Sequence, residues 1–122
     1  MKVLLSIKPE FAERIFNGSK KYEFRKAIFQ NPDVKTIVVY ASSPQRQVIG
    51  EFDIETVLRE TPEKLWRKTK KHSGITKNFF FDYFSERDIG FAIKVKEARR
   101  YEKPRCLRTD YQKSPPQSFC YV

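Results

Sequence analysis

The stretch GSKKYEFRK, Gly18 to Lys26, sets one carboxylate, Glu23, among Lys20, Lys21, Arg25 and Lys26, directly after a helix stop. Upstream, Phe11, Ala12, Ile15 and Phe16 recur at helical spacing behind Pro9, which suits a first helical position, and Gly18 after Asn17 fits a left-handed stop. Downstream the period becomes two. Tyr22, Phe24, Lys26 and Ile28 fall on one face of a strand, and Lys21, Glu23 and Arg25 on the other, with about 7 Å between alternate residues. The stretch is a helix-to-strand junction whose charged side chains are neighbours.

Working outward, VLLSI (Val3 to Ile7) and TIVVY (Thr36 to Tyr40) are short apolar runs of strand type, the second preceded by a turn at Asn31-Pro32-Asp33 and followed by the loop ASSPQRQ. VIGEFDIETVL (Val48 to Leu58) alternates as a long strand. Its Glu51, Asp53 and Glu55 form a face expected to be solvated. TPEKLWRKTKKHSG (Thr61 to Gly74) carries an N-cap threonine, a proline at the first helical position, cations in the last turn and a glycine stop. Leu65, Trp66 and Thr69 are placed to face the core. KNFFFDYF adds a second helical piece whose Phe79, Phe80, Tyr83 and Phe84 read as core. GFAIKVKEA (Gly90 to Ala98) alternates as a strand, and PPQSFCYV reads as a turn and a closing strand. These elements predict a single α+β domain over residues 1–122, a curled or barrel-like mixed sheet with inserted helices.

The chain has 122 residues, 39% of them hydrophobic and 15% aromatic, so its basic character belongs to a folded body. The formal charge of +10 is uneven: residues 1–58 hold nine Lys/Arg against seven Asp/Glu, and residues 59–122 hold sixteen against eight. This excess points to a polyanion, nucleic acid before membrane, because no stretch has a long apolar interfacial face. Two cysteines, Cys106 and Cys120, with one histidine, His72, do not make a zinc site, and no metal or cofactor is expected. The apolar run of MKVLLSIKPEF is too short for a signal segment or a span, which predicts a cytoplasmic protein with both thiols reduced.

LLSIKPEFAERIFNGSKKYEFR is similar to the opening of an ASCH domain, the activating-signal-cointegrator homology branch of the PUA-like superfamily. The family signature G-x-K-x-x-E-x-R is met by Gly18, Lys20, Glu23 and Arg25. YASSP (Tyr40 to Pro44), the GEF at Gly50 to Phe52 and GFAIKV also resemble later strands of that family, so the similarity spans nearly the whole chain. The resemblance implies a small PUA-like β-barrel with a cleft at one end, associated with RNA binding or with transcriptional or translational regulation. In some branches it implies hydrolysis of modified pyrimidine nucleosides. Those branches tend to carry a hydroxyl residue where this chain has Glu23.

On the residues themselves, a strand face bearing Lys21, Glu23 and Arg25, entered beside Lys20, offers donors for phosphate or base acceptors and one acceptor for an exocyclic amine. An acid repels a phosphate backbone, so Glu23 fits a pocket that reads a base or positions a lysine. The alternative is an ordinary ion pair of Glu23 with Arg25 holding the Gly18 turn. Tyr40, Ser42 and Ser43 are candidates for a pocket wall, although a strand-ending tyrosine and a Ser-Ser-Pro turn are common structural features. Arg67, Lys68, Lys70, Lys71, Arg99, Arg100, Lys103 and Arg105 are candidates to hold an RNA backbone. Two classes follow. In one, the chain is a monomeric RNA-binding module, compatible with a protein partner in a regulatory complex. In the other, it hydrolyses an acylated cytidine or RNA, with Lys20 as base or nucleophile, its pKa lowered by Lys21 and Arg25, and Glu23 moving the proton.

Overall fold

A computed structural model describes all 122 residues. Along the chain run β1 (Lys2–Ile7), α1 (Pro9–Phe16), β2 (Tyr22–Arg25), β3 (Thr36–Ala41), β4 (Gln47–Glu60), α2 (Pro62–Thr69), a 3-10 turn (Lys70–His72), α3 (Lys77–Tyr83), β5 (Gly90–Arg105), α4 (Leu107–Tyr111) and β6 (Phe119–Tyr121). The six strands form one mixed sheet in the order β2-β5-β4-β3-β1-β6. Only β1 and β3 run parallel. Register shifts at Val48/Gly50, Asp53/Ile54 and Ile54/Thr56 bend the long β4–β5 ribbon. The sheet curls into a half-barrel of the PUA-like type, and the side chain of Arg25 on β2 reaches back to the Ser6 carbonyl of β1 and to the Ser118 carbonyl before β6.

The apolar runs are explained by which faces are covered. Val3, Leu5 and Ile7 of β1 point into the main core with Ile37, Val39 and Ala41 of β3 and with Ala12 and Ile15 of α1. Leu4 and Val38 point the other way and pack with Tyr40, Val48 and Leu107. Both faces of the parallel pair are buried, so these strands read as continuous rather than alternating apolar runs. A third cluster joins Tyr22 and Phe24 of β2 to Leu65 of α2 and to Phe80 and Phe84 of α3. Phe80 is its centre, with ring centroids 5.1 Å from Phe24, 5.0 Å from Trp66 and 4.9 Å from Phe84.

Four local expectations change. Thr61 precedes α2 but makes no side-chain cap; the capped helix is α3, where Thr76 accepts from the Phe79 N–H at 3.1 Å. β2 ends at Arg25 rather than continuing to Ile28, and the chain turns so that Phe29 enters the main core. β5 continues past Ala98 to Arg105 because β4 supplies a partner as far back as Val48. The acidic face of β4 is not simply solvated: Glu51 and Asp53 both accept from Arg99, and Glu51 also accepts from Tyr101 and Lys2. Cross-strand register causes this, since Glu51 lies directly opposite Arg99. No helix is long and apolar enough to cross a membrane.

Candidate functional site

The helix stop and strand start of the opening stretch deliver Lys20 to the interior. Its backbone N–H donates to the Arg14 carbonyl at 2.9 Å, which closes the end of α1 and turns the side chain inward. Only 2% of Lys20 is exposed. Nζ donates to the Ser73 carbonyl at 2.8 Å and lies over the rings of Phe24, at 4.7 Å, and Phe11, at 5.4 Å. Its pKa stands lowered to about 8, chiefly because of burial, with Glu23 opposing the shift and Arg14 adding a smaller contribution to it. The depressing charge is thus Arg14, not the neighbours Lys21 and Arg25 that the linear order indicates.

Gly74 makes this placement available. It has φ +69°, and a Cβ there would fall on Cβ and Cγ of Lys20. The same loop is tied down by Arg14, whose guanidinium donates to the Gly74 carbonyl at 2.8 Å. Glu23, 6% exposed, accepts from Arg25 at 3.3 Å. Arg25 also donates to the Ser6 and Ser118 carbonyls, at 3.3 and 2.8 Å, so it serves both the carboxylate and the seam of the curled sheet.

Around these groups lies a cavity of about 410 Å³. Lys20, Glu23, Arg25 and Lys8 supply its charge, and Phe11, Phe24 and Ile75 its apolar wall. Ser6, Ile7 and Lys8 come from β1 and the residue after it, Phe79 and Tyr83 from α3, and Gln117 from the C-terminal tail. Phe79 sits 37% exposed, edge-on to Phe11 at 5.2 Å, with the Lys8 ammonium 5.2 Å from its ring centroid. Burial pushes the Tyr83 phenol above its ordinary pKa, so it stays an O–H donor. The cavity therefore combines an aromatic rim, a buried amine, a buried carboxylate and a guanidinium.

Among the residues singled out in the sequence, Lys20, Glu23 and Arg25 meet in this cavity. Lys21 does not line it: its backbone pairs with His72 and Val95, and its side chain is exposed. Tyr40 is buried beside a smaller cavity, and Ser42 and Ser43 occupy the turn after β3. Arg67, Lys68, Lys70 and Lys71 lie on α2 and the turn after it, with Lys68 paired to Glu60. Arg99 is held by Asp53 and Glu51, and Arg100 by Glu13. Trp66 packs on Phe80, and no three His, Cys, Asp or Glu side chains converge as metal ligands. Both thiols are unpaired, Cys106 exposed and Cys120 half-buried. Phe79 and Tyr83, expected in the core, and Phe11, expected only as a helix-face residue, line the cavity instead, together with Gln117, which no pattern in the sequence marks. The one available signal was the excess of rings in KNFFFDYF over what a single helix face buries.

A family described as "Domain of unknown function (DUF365)" matches residues 1–111. A curated protein of Ureaplasma parvum, large ribosomal subunit protein uL22, is 29% identical over 98% of this chain, but the chain spans only 39% of that protein's length. The ASCH domain-containing ribonuclease of Zymomonas mobilis is 27% identical over 98% of this chain and 82% of its own length. The crystal structure of ASCH from Zymomonas mobilis superimposes with a TM-score of 0.89 at 26% identity, covering 99% of this chain and 87% of the other. The chain belongs to the DUF365 family and has the ASCH-type, PUA-like fold.

Proposed function

We propose that this domain binds RNA and takes one unstacked nucleotide into the cavity lined by Lys20, Glu23 and Arg25. The observation that carries the reading is the buried carboxylate of Glu23 facing a chamber of about 410 Å³, within the roughly 300–1,000 Å³ typical of small-molecule sites. Glu23 accepts from exocyclic amines, Arg25 and Tyr83 donate to base acceptors, and the rim ring of Phe79 stacks. Exposed cations on α2 and the following turn supply sequence-independent attraction to phosphate. The ASCH-type relatives support the same class of ligand.

A second reading is favoured by Lys20 alone. With its pKa near 8, about one amine in ten is neutral at pH 7. That lone pair would act as base toward a ribose 2′-hydroxyl, or as nucleophile toward an acylated cytidine, with Glu23 beside it. The name ribonuclease carried by the Zymomonas mobilis relative belongs to this class of chemistry.

The test is a binding panel of short single-stranded RNAs against the wild type, Glu23→Gln, Arg67→Ala and Lys71→Ala. Glu23→Gln is expected to weaken one nucleotide preference by roughly 1–3 kcal/mol, whereas the two cation variants weaken all RNAs alike. Uniform effects from all three variants would sink base reading by the cavity. In parallel, labelled RNA and an N-acylated cytidine are incubated with the wild type and with Lys20→Ala. Turnover lost in Lys20→Ala with RNA affinity retained establishes the catalytic reading, and absence of turnover in the wild type removes it.

A further inference from the structure

We infer that a second, cationic cavity beside the C-terminal tail is a phosphate subsite for the nucleotide adjoining the one in the main cavity, so that the ligand is an oligonucleotide and not a free nucleoside. The inference rests on the nucleotide reading of the main cavity given above. The second cavity measures about 180 Å³, and its charged lining is Arg46, Arg108 and Lys113, with no carboxylate among its walls. None of the three cations is engaged in an ion pair. Arg99 and Arg100, by contrast, are held by acids and have little charge to offer. The nearby carboxylate of Asp110 is turned onto the Cys106 N–H at 2.8 Å.

The backbone presents these cations deliberately. Arg46 sits at φ +54° in the turn between β3 and β4, and Gln112 at φ +56° ends α4 so that the chain turns back and brings Lys113 to the cavity. Buried Tyr40 and Leu107 form an apolar backing, which leaves the three cations as the groups available to an anion.

The tail joins the two cavities. Ser114 and Pro115 line the cationic one, Gln117 lines the main one, and Arg25 holds the Ser118 carbonyl at 2.8 Å. From Pro115 to Gln117 an extended chain reaches at most about 7 Å. Pro115 and Gln117 are thus neighbouring wall positions of the two cavities, and in this arrangement a strand whose base enters the main cavity runs over the tail and sets its neighbouring phosphate against Arg46, Arg108 and Lys113. Free cytidine has no phosphate to place there.

The experiment compares the wild type, Arg46→Ala/Arg108→Ala and Glu23→Gln in titrations with cytidine and with a fluorescein-labelled eight-nucleotide RNA over a salt series. Both arginines are exposed, so the double variant keeps the fold. The double variant is expected to lose about tenfold or more in affinity for the RNA, to reduce the log–log salt slope by about 0.7 to 1.4, and to bind cytidine as the wild type does. RNA affinity and slope unchanged in the double variant, with Glu23→Gln impaired, overturn the subsite while leaving the main cavity standing. Loss in the double variant with no effect of Glu23→Gln on either probe also overturns the inference, because the cationic cavity then acts apart from a nucleotide in the main one.

Discussion

Replacing Lys20 by methionine removes a buried amine whose folded and unfolded chains titrate in different ranges. In the folded protein it releases its proton near pH 8, against the ordinary lysine value of 10.5. Between those values the unfolded chain carries a proton that the folded one lacks, so this group makes stability rise with pH. Below pH 8 both states are protonated and the full cost of burying the charge is present; above 10.5 both are neutral and that cost is gone. At about 1.4 kcal/mol per pH unit the whole window is worth roughly 3 kcal/mol. The assay is urea unfolding of wild type and Lys20→Met, followed by Trp66 emission at pH 7, 8, 9 and 10. Other groups titrate alike in both proteins, so their difference isolates Lys20. Wild-type stability should gain on the variant by roughly 2–3 kcal/mol from pH 8 to 10 and change little from pH 7 to 8. Parallel profiles would refute the reasoning, because they would mean that the ammonium is hydrated in the folded state.

Glycine substitutions separate backbone strain from contact with Lys20. Gly18→Ala, at φ +86° with open space around it, should cost about 1–2 kcal/mol; Gly74→Ala adds a collision with Lys20 and should cost roughly 3 kcal/mol or more. Equal costs by thermal or urea unfolding would show that the loop does not pack on Lys20. Phe80→Ala, at the centre of the α2–α3 cluster, should lose roughly 3–5 kcal/mol of stability. Phe79→Ala at the rim, which loses the edge contact with Phe11 but is already 37% exposed, should cost about 1–2 kcal/mol of stability, less than Phe80→Ala, while weakening RNA binding by roughly 1–3 kcal/mol if its ring stacks on a base. Unchanged RNA affinity would remove Phe79 from the site.

The sequence alone determined the helix-to-strand junction, the order of the six strands along the chain and the ASCH resemblance. Each is written in local signals: Pro9 and Gly18 bound a helix, a period of two starts at Lys21, and apolar runs mark β1 and β3. It also brought Lys20, Lys21, Glu23 and Arg25 forward as a group, because the turn and alternate strand positions keep them close in any fold that retains the junction. Tertiary structure decided what each one does. Lys20 and Lys21 are indistinguishable as neighbours in sequence, yet one is buried and the other exposed, because Ser73, 53 residues downstream, supplies the acceptor and Gly74 the space. Arg99 and Arg100 read as free cations until β4 and α1 place Glu51, Asp53 and Glu13 against them. Phe79 and Tyr83 read as core until the curl of the sheet leaves a chamber between α3 and β1. Burial and charge pairing depend on neighbours remote in sequence, and the curl of the sheet chooses those neighbours.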